Sequence, residues 1–425
     1  MWEKQDKKIK ILYINGSFTN DSGCGVIARD TYRIMEKKGY DVELFCSKDF
    51  LPEEHRKYEY LFPEDYNTAK KYIKNIIKYY YNYKSAQNLK KVISDYKPDI
   101  IHIHSLIYSS MTYAVLKPCI KSKVPIIMTQ HNTFLVCPMM TLTKGNEEKC
   151  DKILCKGYNK LPCFYNNCAP NGFEQSFRWG LFSFICKLTG YDKHVTLFTT
   201  PSQALKDLLV QADIGVTEDK VSVIHNFLCM EDTEITPVYT NKGYFLYIGR
   251  LSKEKGVSYL LQAFNGLPKN IKLHISGSGQ EEKFLKKYVE DNKMDNVIFI
   301  GQKNKKELYE EIKNCIATIL PSNCFETFGM ANIESFIHGK PVIASNIGGI
   351  PEIVEHNKTG LLFEPKDIET LRAHILKYWN NNELVICHGK NGYKKAIEKF
   401  TYKTCLDKLD KIYKELDENS KVSTY

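Results

Sequence analysis

The sequence of 425 residues lacks several features that would assign it to a class at once. It has no run of about 20 apolar residues, so no transmembrane helix is expected. Its start passes directly into a strand pattern without the apolar core of a signal peptide, which favours a cytoplasmic chain. It has no zinc-finger spacing and no low-complexity basic tail, so nucleic acid is not expected as a partner. It also lacks the G-x-G-x-x-G fingerprint, which makes a nicotinamide site unexpected.

What the chain does have is enough apolar residues, 43% of the total, to bury the cores of two domains. Its net charge of +10 favours anionic partners, such as nucleotide phosphates or anionic lipid. Short apolar strand patterns alternate with helical ones, which predicts parallel α/β sheets. The 14 cysteines of such a cytoplasmic chain are expected to be reduced thiols or metal ligands rather than disulfides.

The most informative stretch runs from Pro321 to Glu334. The apolar run at 316–320 predicts a buried strand, followed by a polar turn and a helix that begins at about Gly329. Ligands of open α/β sheets bind outside the carboxyl ends of the strands, and a helix N-terminus there suits a phosphate. Glu326 on the loop and Glu334 in the helix are suited to accept hydrogen bonds from sugar hydroxyls. Taken alone, the two residues are better explained as an exposed loop glutamate and a solvated helix glutamate.

These two glutamates belong to an ordered series of motifs. The other motifs are Gly249-Arg250-Leu251, Glu254-Lys255-Gly256, Gly339-Lys340-Pro341, Gly348-Gly349-Ile350-Pro351-Glu352 and Thr359-Gly360-Leu361-Leu362. The series resembles the retaining nucleotide-sugar glycosyltransferases of family 4, including those of bacterial capsule and cell-surface polysaccharide synthesis. The resemblance is dense over residues 244–367 and thinner in the N-terminal half.

The resemblance implies an α/β fold of the GT-B type, in which two Rossmann-like domains face each other across a cleft. It implies an N-terminal acceptor domain at residues 1–235, with a cysteine-rich insertion at about 137–170. A nucleotide-sugar donor domain would follow at 236–399. A C-terminal helix at 400–425 would return to the first domain.

The resemblance also implies the reaction and its residues. The chain would move a sugar from a UDP or GDP sugar to a saccharide or lipid-linked acceptor, with retention of configuration. Glu326 would bind the hydroxyls of the donor sugar, and Glu334 would bind the ribose. His131, which alone would more often be structural, would face the donor sugar and the acceptor as a catalytic residue. The remaining donor-binding positions are Gly16, Gly277, Gly279, Phe328, Gly329 and Met330.

Arg250 and Lys255 lie just past the first strand of the predicted donor domain. Arginine binds phosphate with a fixed fork and lysine as a point charge, so together they can neutralise a diphosphate leaving group. The chain has no Asp-x-Asp motif that would hold a divalent metal. We therefore predict metal-independent transfer with no required cofactor. The alternative is a pair of solvated cations in a chain with 60 lysines and arginines.

Five cysteines lie close together in the predicted insertion, beginning with Cys137. The pairs Cys150-x4-Cys155 and Cys163-x4-Cys168 fit a structural four-thiolate zinc site. The spacing within each pair is at the wide end of common zinc motifs. A set of reduced, partly buried thiols fits the pattern equally well.

Residues 66–97 carry eight lysines and a single acidic residue. Lys70, Lys74 and Lys78 share one face of the predicted helix, and such a basic amphipathic helix suits an anionic membrane surface. The protein would then bind peripherally to the inner face of the membrane; a solvated helix is the alternative. The aromatic stretch at 177–188 is predicted to lie either in the core or against the acceptor.

Two other functions fit the same architecture. A nucleotide-sugar 2-epimerase would need further acid and base groups and no acceptor. A non-catalytic sugar-nucleotide-binding subunit would not be expected to retain Glu326, Glu334, Arg250 and Lys255.

Overall fold

The structure is a computed structural model and describes residues 7–16, 23–46, 83–104, 112–144, 150, 155–169, 172–188, 190–229 and 235–422. The chain divides into two compact units. The first comprises Met1–Pro201, Leu205–Ile224 and Leu406–Tyr425, and the second comprises Ser202–Ala204 and His225–Cys405. These limits differ from the predicted boundaries at 235 and 399. The N–H of Leu228 donates to the carbonyl of Phe400, which ties both flanking segments into the second unit.

Each unit contains one parallel sheet. Within the described residues, the strands of the first unit are β1 (Lys10–Ile14), β2 (Asp41–Phe45), β3 (Ile100–Ile103), β4 (Ile126–Thr129), β5 (Leu197–Thr200) and β6 (Val221–Val223). Those of the second unit are β7 (Tyr244–Ile248), β8 (Lys272–Ser276), β9 (Val297–Gly301), β10 (Thr318–Leu320), β11 (Val342–Ser345) and β12 (Gly360–Phe363). The strand orders are β2-β1-β3-β4-β5-β6 and β12-β11-β10-β7-β8-β9.

Helices alternate with these strands along the chain. They are α1 (Gly23–Lys37), α2 (Tyr83–Tyr96), α3 (Thr112–Ser122), α4 (Leu161–Tyr165), α5 (Phe173–Leu188), α6 (Tyr191–His194), α7 (Gln203–Gln211), α8 (Val257–Phe264), α9 (Glu282–Asp291), α10 (Lys305–Asn314), α11 (Met330–Ile337), α12 (Ile350–Ile353), α13 (Ile368–Asn380), α14 (Asn382–Lys399) and α15 (Tyr402–Val422). The alternation confirms the predicted α/β fold class with two Rossmann-like sheets.

The strands are apolar because a parallel sheet is covered on both faces. All four residues of β3 are buried, and so is every residue of β11. Local sequence signals set several helix ends. Asn304 and Glu307, for example, form a reciprocal capping box at the start of α10. None of the helices in the described residues has the length and apolarity needed to cross a membrane.

The C-terminal helix α15 packs on the first unit, as predicted. The buried hydroxyl of Tyr413 lies 3.0 Å from the hydroxyl of Tyr13 and 2.5 Å from Nδ1 of His102. At its edge, Lys38 Nζ lies 2.7 Å from Asp407 Oδ1. Contacts between residues more than 300 positions apart therefore close the first unit.

The predicted basic helix at 66–97 is described only in part. Residues 66–82, which include Lys70, Lys74 and Lys78, lie outside the described residues. The remainder forms α2, which buries Leu89 and Val92. Membrane binding by this segment stays a prediction.

Candidate active site

The loop that follows β7 carries both predicted phosphate-binding cations. The side chain of Arg250 is 74% exposed, and its Nη2 lies 3.4 Å from Glu254 Oε1. The side chain of Lys255, in contrast, is 19% exposed, and its Nζ lies 2.6 Å from Glu326 Oε1. The structure therefore brings Lys255 and Glu326, which are 71 positions apart, into direct contact.

Glu326 lies on the loop between β10 and α11, as its position after an apolar run predicts. Its Oε1 accepts two hydrogen bonds, one from Lys255 Nζ and one from Ser322 Oγ, each 2.6 Å long. Its Oε2 accepts no hydrogen bond from any described residue. One carboxylate oxygen thus holds the residue in place, and the other is available to a ligand.

Backbone contacts fix the Glu326 loop from a second direction. The N–H of Gly349 donates to the carbonyl of Glu326 at 2.7 Å, and a Cβ at Gly348 would overlap that same carbonyl oxygen. Gly348 and Gly349, which the sequence analysis quoted as a motif without a role, therefore build the site, together with Ser322, which it did not name. The Gly348-Gly349 pair after β11 was the available signal.

The ionisation of the Lys255–Glu326 pair follows from its surroundings. Burial raises the pKa of the Glu326 carboxyl, but the charge of Lys255 and two hydrogen bonds together lower it by more, so the pKa lies below its usual value. Burial lowers the pKa of Lys255, but the charge and hydrogen bond of Glu326 contribute to a larger increase, so the pKa lies above its usual value. Both directions keep the pair charged at neutral pH.

Glu334 lies in α11, which begins after Gly329 (φ +102°). Its side chain is half-buried, and its carboxylate makes no hydrogen bond to any described residue. Burial raises the pKa of Glu334 to about 7, against a smaller lowering by the charge of Lys305. Unlike Glu326, it therefore changes its charge near neutral pH.

Phe328 and Met330 contribute side chains to the core of the second unit. Phe328 is 1% exposed, and its ring lies 5.8 Å from that of His225 and 5.7 Å from that of Phe400. Met330 packs against the same cluster. Donor binding at these two positions stays a prediction.

Gly277 and Gly279 are required by contacts within the second unit. A Cβ at Gly277 would overlap the carbonyl oxygen of Gly249, and one at Gly279 would overlap that of Leu251. The loop after β8 thus lies directly against the loop that carries Arg250. Because neither residue has a side chain, the two loops can pack this closely. This contact alone accounts for both glycines.

In the first unit, the predicted site residues lie at the carboxyl ends of the strands. Gly16 is buried after β1, and His131 follows β4. His131 Nε2 lies 3.1 Å from Nδ1 of His104, a buried residue that follows β3, and the two rings stack at 5.3 Å. Among the described residues, Nε2 of His104 has no hydrogen-bond partner. The sequence analysis named only His131, although His104 ends the preceding strand in the same way.

A third histidine extends this stack into the core of the first unit. The rings of His102 and His104 stack at 4.3 Å, and His102 Nε2 lies 2.7 Å from Thr129 Oγ1. Burial lowers the pKa of His102 to about 3 and that of His131 to about 4. Burial, followed by the two neighbouring imidazoles, lowers the pKa of His104 well below its usual value. The three rings are therefore neutral near pH 7.

The cysteines of the predicted insertion converge on one small cavity of about 20 Å³. Its lining includes Cys137, Cys150, Cys155, Cys163 and Cys168. Burial raises the pKa of Cys155 to about 12, so this side chain is a thiol at neutral pH. In the part of the chain that the structure describes, no three His, Cys, Asp or Glu side chains are grouped so that they could hold a metal ion. The zinc site stays a prediction.

Comparison with known proteins identifies the family. Among curated proteins, the chain is 34% identical over 173 residues to an uncharacterized glycosyltransferase, MJ1178, of Methanocaldococcus jannaschii, covering 41% of this chain and 48% of that protein. It is 26% identical over 178 residues to O-antigen chain mannosyltransferase C of Escherichia coli, covering 41% and 47% respectively. The chain thus spans about half the length of these curated relatives.

Among solved structures, the chain resembles the crystal structure of Anabaena Alr3699/HepE in complex with UDP-glucose. The TM-score is 0.66 at 17% identity, with 98% of this chain and 100% of that chain covered. This similarity shows the GT-B fold. Two family models also match, Glycosyltransferase Family 4 over residues 22–231 and Glycosyl transferases group 1 over residues 231–395. Together these two models span most of the chain, which therefore belongs to the family 4 glycosyltransferases with a group 1 C-terminal domain.

Proposed function

We propose that this glycosyltransferase moves a sugar from a UDP or GDP sugar to a saccharide acceptor, with retention of configuration and without a divalent metal. The observation that carries the proposal is the 2.6 Å ion pair between Lys255 and Glu326, which lies on the same loop system as Arg250. It places a cation suited to a diphosphate beside a carboxylate suited to sugar hydroxyls. The pair is built within the second unit alone.

The chemistry of glycosyl transfer matches these groups. As the bond to the leaving diphosphate breaks, negative charge grows on the phosphate and positive charge grows on the sugar ring. Lys255 and the exposed Arg250 supply positive charge for the leaving group. Glu326, through its available Oε2, accepts a hydrogen bond from a donor-sugar hydroxyl. The leaving phosphate itself would help to remove the proton of the acceptor.

The neutral histidines of the first unit suit a different part of the reaction. His131 and His104 can exchange hydrogen bonds with hydroxyl groups, but their lowered pKa values keep them from carrying a positive charge near pH 7. We therefore assign His131 to the orientation of the donor sugar or the acceptor. Nε2 of His104, which none of the described residues contacts by a hydrogen bond, supports a polar ligand at this edge of the sheet.

The similar proteins support the donor and the pathway class. HepE was solved with UDP-glucose, and the Escherichia coli relative is an O-antigen chain mannosyltransferase. On this basis we propose a role in cell-surface polysaccharide or glycolipid synthesis, with a lipid-linked acceptor and a peripheral position on the inner face of the membrane.

The deciding experiment measures release of nucleoside diphosphate from UDP and GDP sugars, with and without saccharide and lipid-linked acceptors. We expect release of nucleoside diphosphate that depends on the acceptor and persists in EDTA. NMR of the product should show the same anomeric configuration as the sugar of the donor. Sugar conversion without an acceptor would indicate an epimerase. Binding without release would indicate a non-catalytic subunit. Loss of turnover in EDTA that manganese or magnesium restores, and zinc does not, would contradict metal independence.

We also propose a structural role for the five clustered cysteines, with zinc as the ligand to be tested. Elemental analysis of protein purified without chelator should give near one zinc per chain. Replacement of Cys150 and Cys155 by serine should release it, because thiolates are the ligands that structural zinc prefers. A metal-free and fully active wild-type protein would show that these are reduced thiols only.

A further inference from the structure

The described residues place most of their exposed large apolar side chains in one short region. Eleven such side chains are exposed, and seven of them lie between residues 158 and 188. They are Tyr158, Leu161, Tyr165, Phe173, Phe177, Phe184 and Leu188, which we call the aromatic face. For the stretch 177–188, the predicted location in the core is therefore wrong for Phe177, Phe184 and Leu188, which are exposed. A solvent-facing cluster of this kind marks an interaction surface.

Helix α5 carries apolar side chains on two sides. Phe173, Phe177, Phe184 and Leu188 are exposed and share one side, because they recur at spacings of four, seven and four. Phe182 and Cys186 lie on the opposite side and are buried in a small hydrophobic cluster. The flank between the two sides buries Ser176, Ser183 and Lys187. An ordinary surface helix buries one apolar side and exposes polar residues on the other, so the exposed rings of α5 depart from that pattern.

Two buried polar side chains of α5, Lys187 and Ser176, have partners that fix the orientation of the helix. Lys187 Nζ lies 2.8 Å from Asp192 Oδ1 and donates to the carbonyl of Ile214 at 2.7 Å. Ser176 Oγ accepts a hydrogen bond from the N–H of Ala169 at 2.9 Å. Rotating the helix to bury its rings would remove the partners of Lys187 and Ser176, and the unpaired groups would destabilise the rotated arrangement. The packing of α5 therefore keeps the rings on the outside.

The aromatic face is concave. A cavity of about 350 Å³ opens between α4 and α5 and is lined mainly by apolar side chains. They include Leu161, Phe164, Phe177, Leu181 and Phe184. The rings of Phe164 and Phe173 lie 4.0 Å apart, and those of Phe164 and Phe177 lie 5.6 Å apart, so the walls are already packed. The volume falls within the range of ligand pockets, roughly 300–1,000 Å³.

The charge around this face selects between possible occupants. Lys156, two positions before Tyr158, and Lys193, on the helix that follows α5, are exposed, and Arg178 is half-buried. Two exposed acids lie in the same region, Glu174 on α5 and Asp213, which packs against Gly157. A second copy of the chain would bring these cations against their own counterparts, which is unfavourable in a twofold interface. An anionic membrane surface offers opposite charge to the cations and hydrocarbon to the groove.

We propose that the aromatic face docks on an anionic bilayer, with the groove between α4 and α5 receiving a lipid hydrocarbon chain. The proposal rests on the peripheral membrane position proposed above and names the surface that makes the contact. Vesicle binding is measured without turnover, so its failure is distinguishable from a failure of the sugar-transfer assignment. The surface differs from the basic segment at 66–97, since it combines rings, a groove and flanking cations within 155–194.

The test is sedimentation of the full chain with vesicles of phosphatidylcholine, alone or mixed with phosphatidylglycerol. Binding is expected to be stronger to the mixed vesicles and to weaken with salt. The double variant F177N/F184N should bind about a hundredfold more weakly, because two rings no longer enter hydrocarbon. F284N is the control, since Phe284 on α9 of the second unit is at least as exposed as either ring and its replacement should leave binding unchanged.

A second measurement reports insertion directly. Tryptophan placed by F177W should add fluorescence that brominated lipids quench, whereas F284W should add fluorescence that they do not quench. Unchanged binding by F177N/F184N, an unquenched F177W, or no binding to mixed vesicles would overturn the proposal. So would a dimer that F177N/F184N converts to monomer, because a second copy would then cover the face. Unchanged circular dichroism of the variants would exclude misfolding as the cause of lost binding.

Discussion

Lys255 and Glu326 of the second unit carry opposite charges 2.6 Å apart, whereas His102, His104 and His131 of the first unit form a stack of neutral rings. Both groups lie at or near the carboxyl ends of parallel strands in sheets of the same size. The second unit lowers the pKa of its carboxyl with a nearby cation. The first unit lowers the pKa values of its imidazoles mainly by burial.

This difference shows two ways to prepare a polar site. A paired charge stays ionised when buried, so it is ready to meet a charged phosphate or to polarise a hydroxyl. A buried imidazole stays neutral and keeps both a donor and an acceptor nitrogen. Losing one partner should therefore harm the second unit through an unpaired charge, and the first unit through a lost hydrogen bond.

Replacement of Glu326 should break the comparison most severely. Glu326→Ala removes the carboxylate proposed to bind the donor sugar, and turnover should fall by at least about a hundredfold. The measurement is kcat with a nucleotide sugar and acceptor, with a thermal melt to check the fold. Glu290→Ala, at an exposed position on α9, is the matched control. Activity within a few fold of wild type would remove Glu326 from the site.

Separate replacement of the two cations should sharpen the same comparison. Lys255→Ala and Arg250→Ala should each weaken UDP or GDP binding by roughly 10- to 150-fold, since charge-assisted contacts contribute about 1.5–3 kcal/mol. Only Lys255→Ala should also lower the melting temperature, because it leaves Glu326 without its cation. Calorimetry and melting curves test both effects. Unchanged affinity in either variant, or equal loss of stability in both, would contradict these roles.

Glu334 should give a pH dependence that the Lys255–Glu326 pair does not. Burial raises its pKa to about 7, so its ionised fraction rises from about a tenth to about nine tenths between pH 6 and pH 8. If the ionised form binds ribose hydroxyls, nucleotide affinity should rise by up to about tenfold over this range. Glu334→Gln should lose that part of the pH dependence. Parallel titrations of both proteins correct for ionisation of the nucleotide itself.

The same shift has a consequence of opposite sign for stability. A carboxyl whose pKa is raised on folding stabilises the fold below its unfolded pKa, and this stabilisation is lost as pH rises through about 7. Stability of wild type relative to Glu334→Gln should therefore fall across that window. A constant difference would contradict the burial of the carboxyl.

Removal of one hydroxyl should have the smallest effect. Tyr413→Phe removes the partner of the Tyr13 hydroxyl and of His102 Nδ1, and the free energy of unfolding should fall by about 1–3 kcal/mol. Tyr402→Phe on the same helix is the control, because its hydroxyl bonds to no described residue. Urea unfolding measures both. Equal stability of Tyr413→Phe and wild type would show that the hydroxyl contributes nothing to docking of α15.

The sequence by itself determined the fold class, the alternation of strands and helices, and the loops on which Arg250, Glu326 and His131 lie. Those features depend on local patterns: a short apolar run makes a buried strand, and the residues that follow it must lie at the edge of the sheet. The motif order then identified the family, which the two family models confirmed.

Only the tertiary structure decided which side chains meet. It placed Lys255 and Ser322 on the same oxygen of Glu326, and His104 against His131. It also turned the rings of α5 outward, because Phe182 and Cys186 pack into the core on the opposite side and Lys187 finds its partners, Asp192 and the carbonyl of Ile214, within the unit. Some of these contacts join residues that are distant in sequence, and others select which face of α5 is buried. Their geometry is set by how the whole unit packs, which no local pattern encodes.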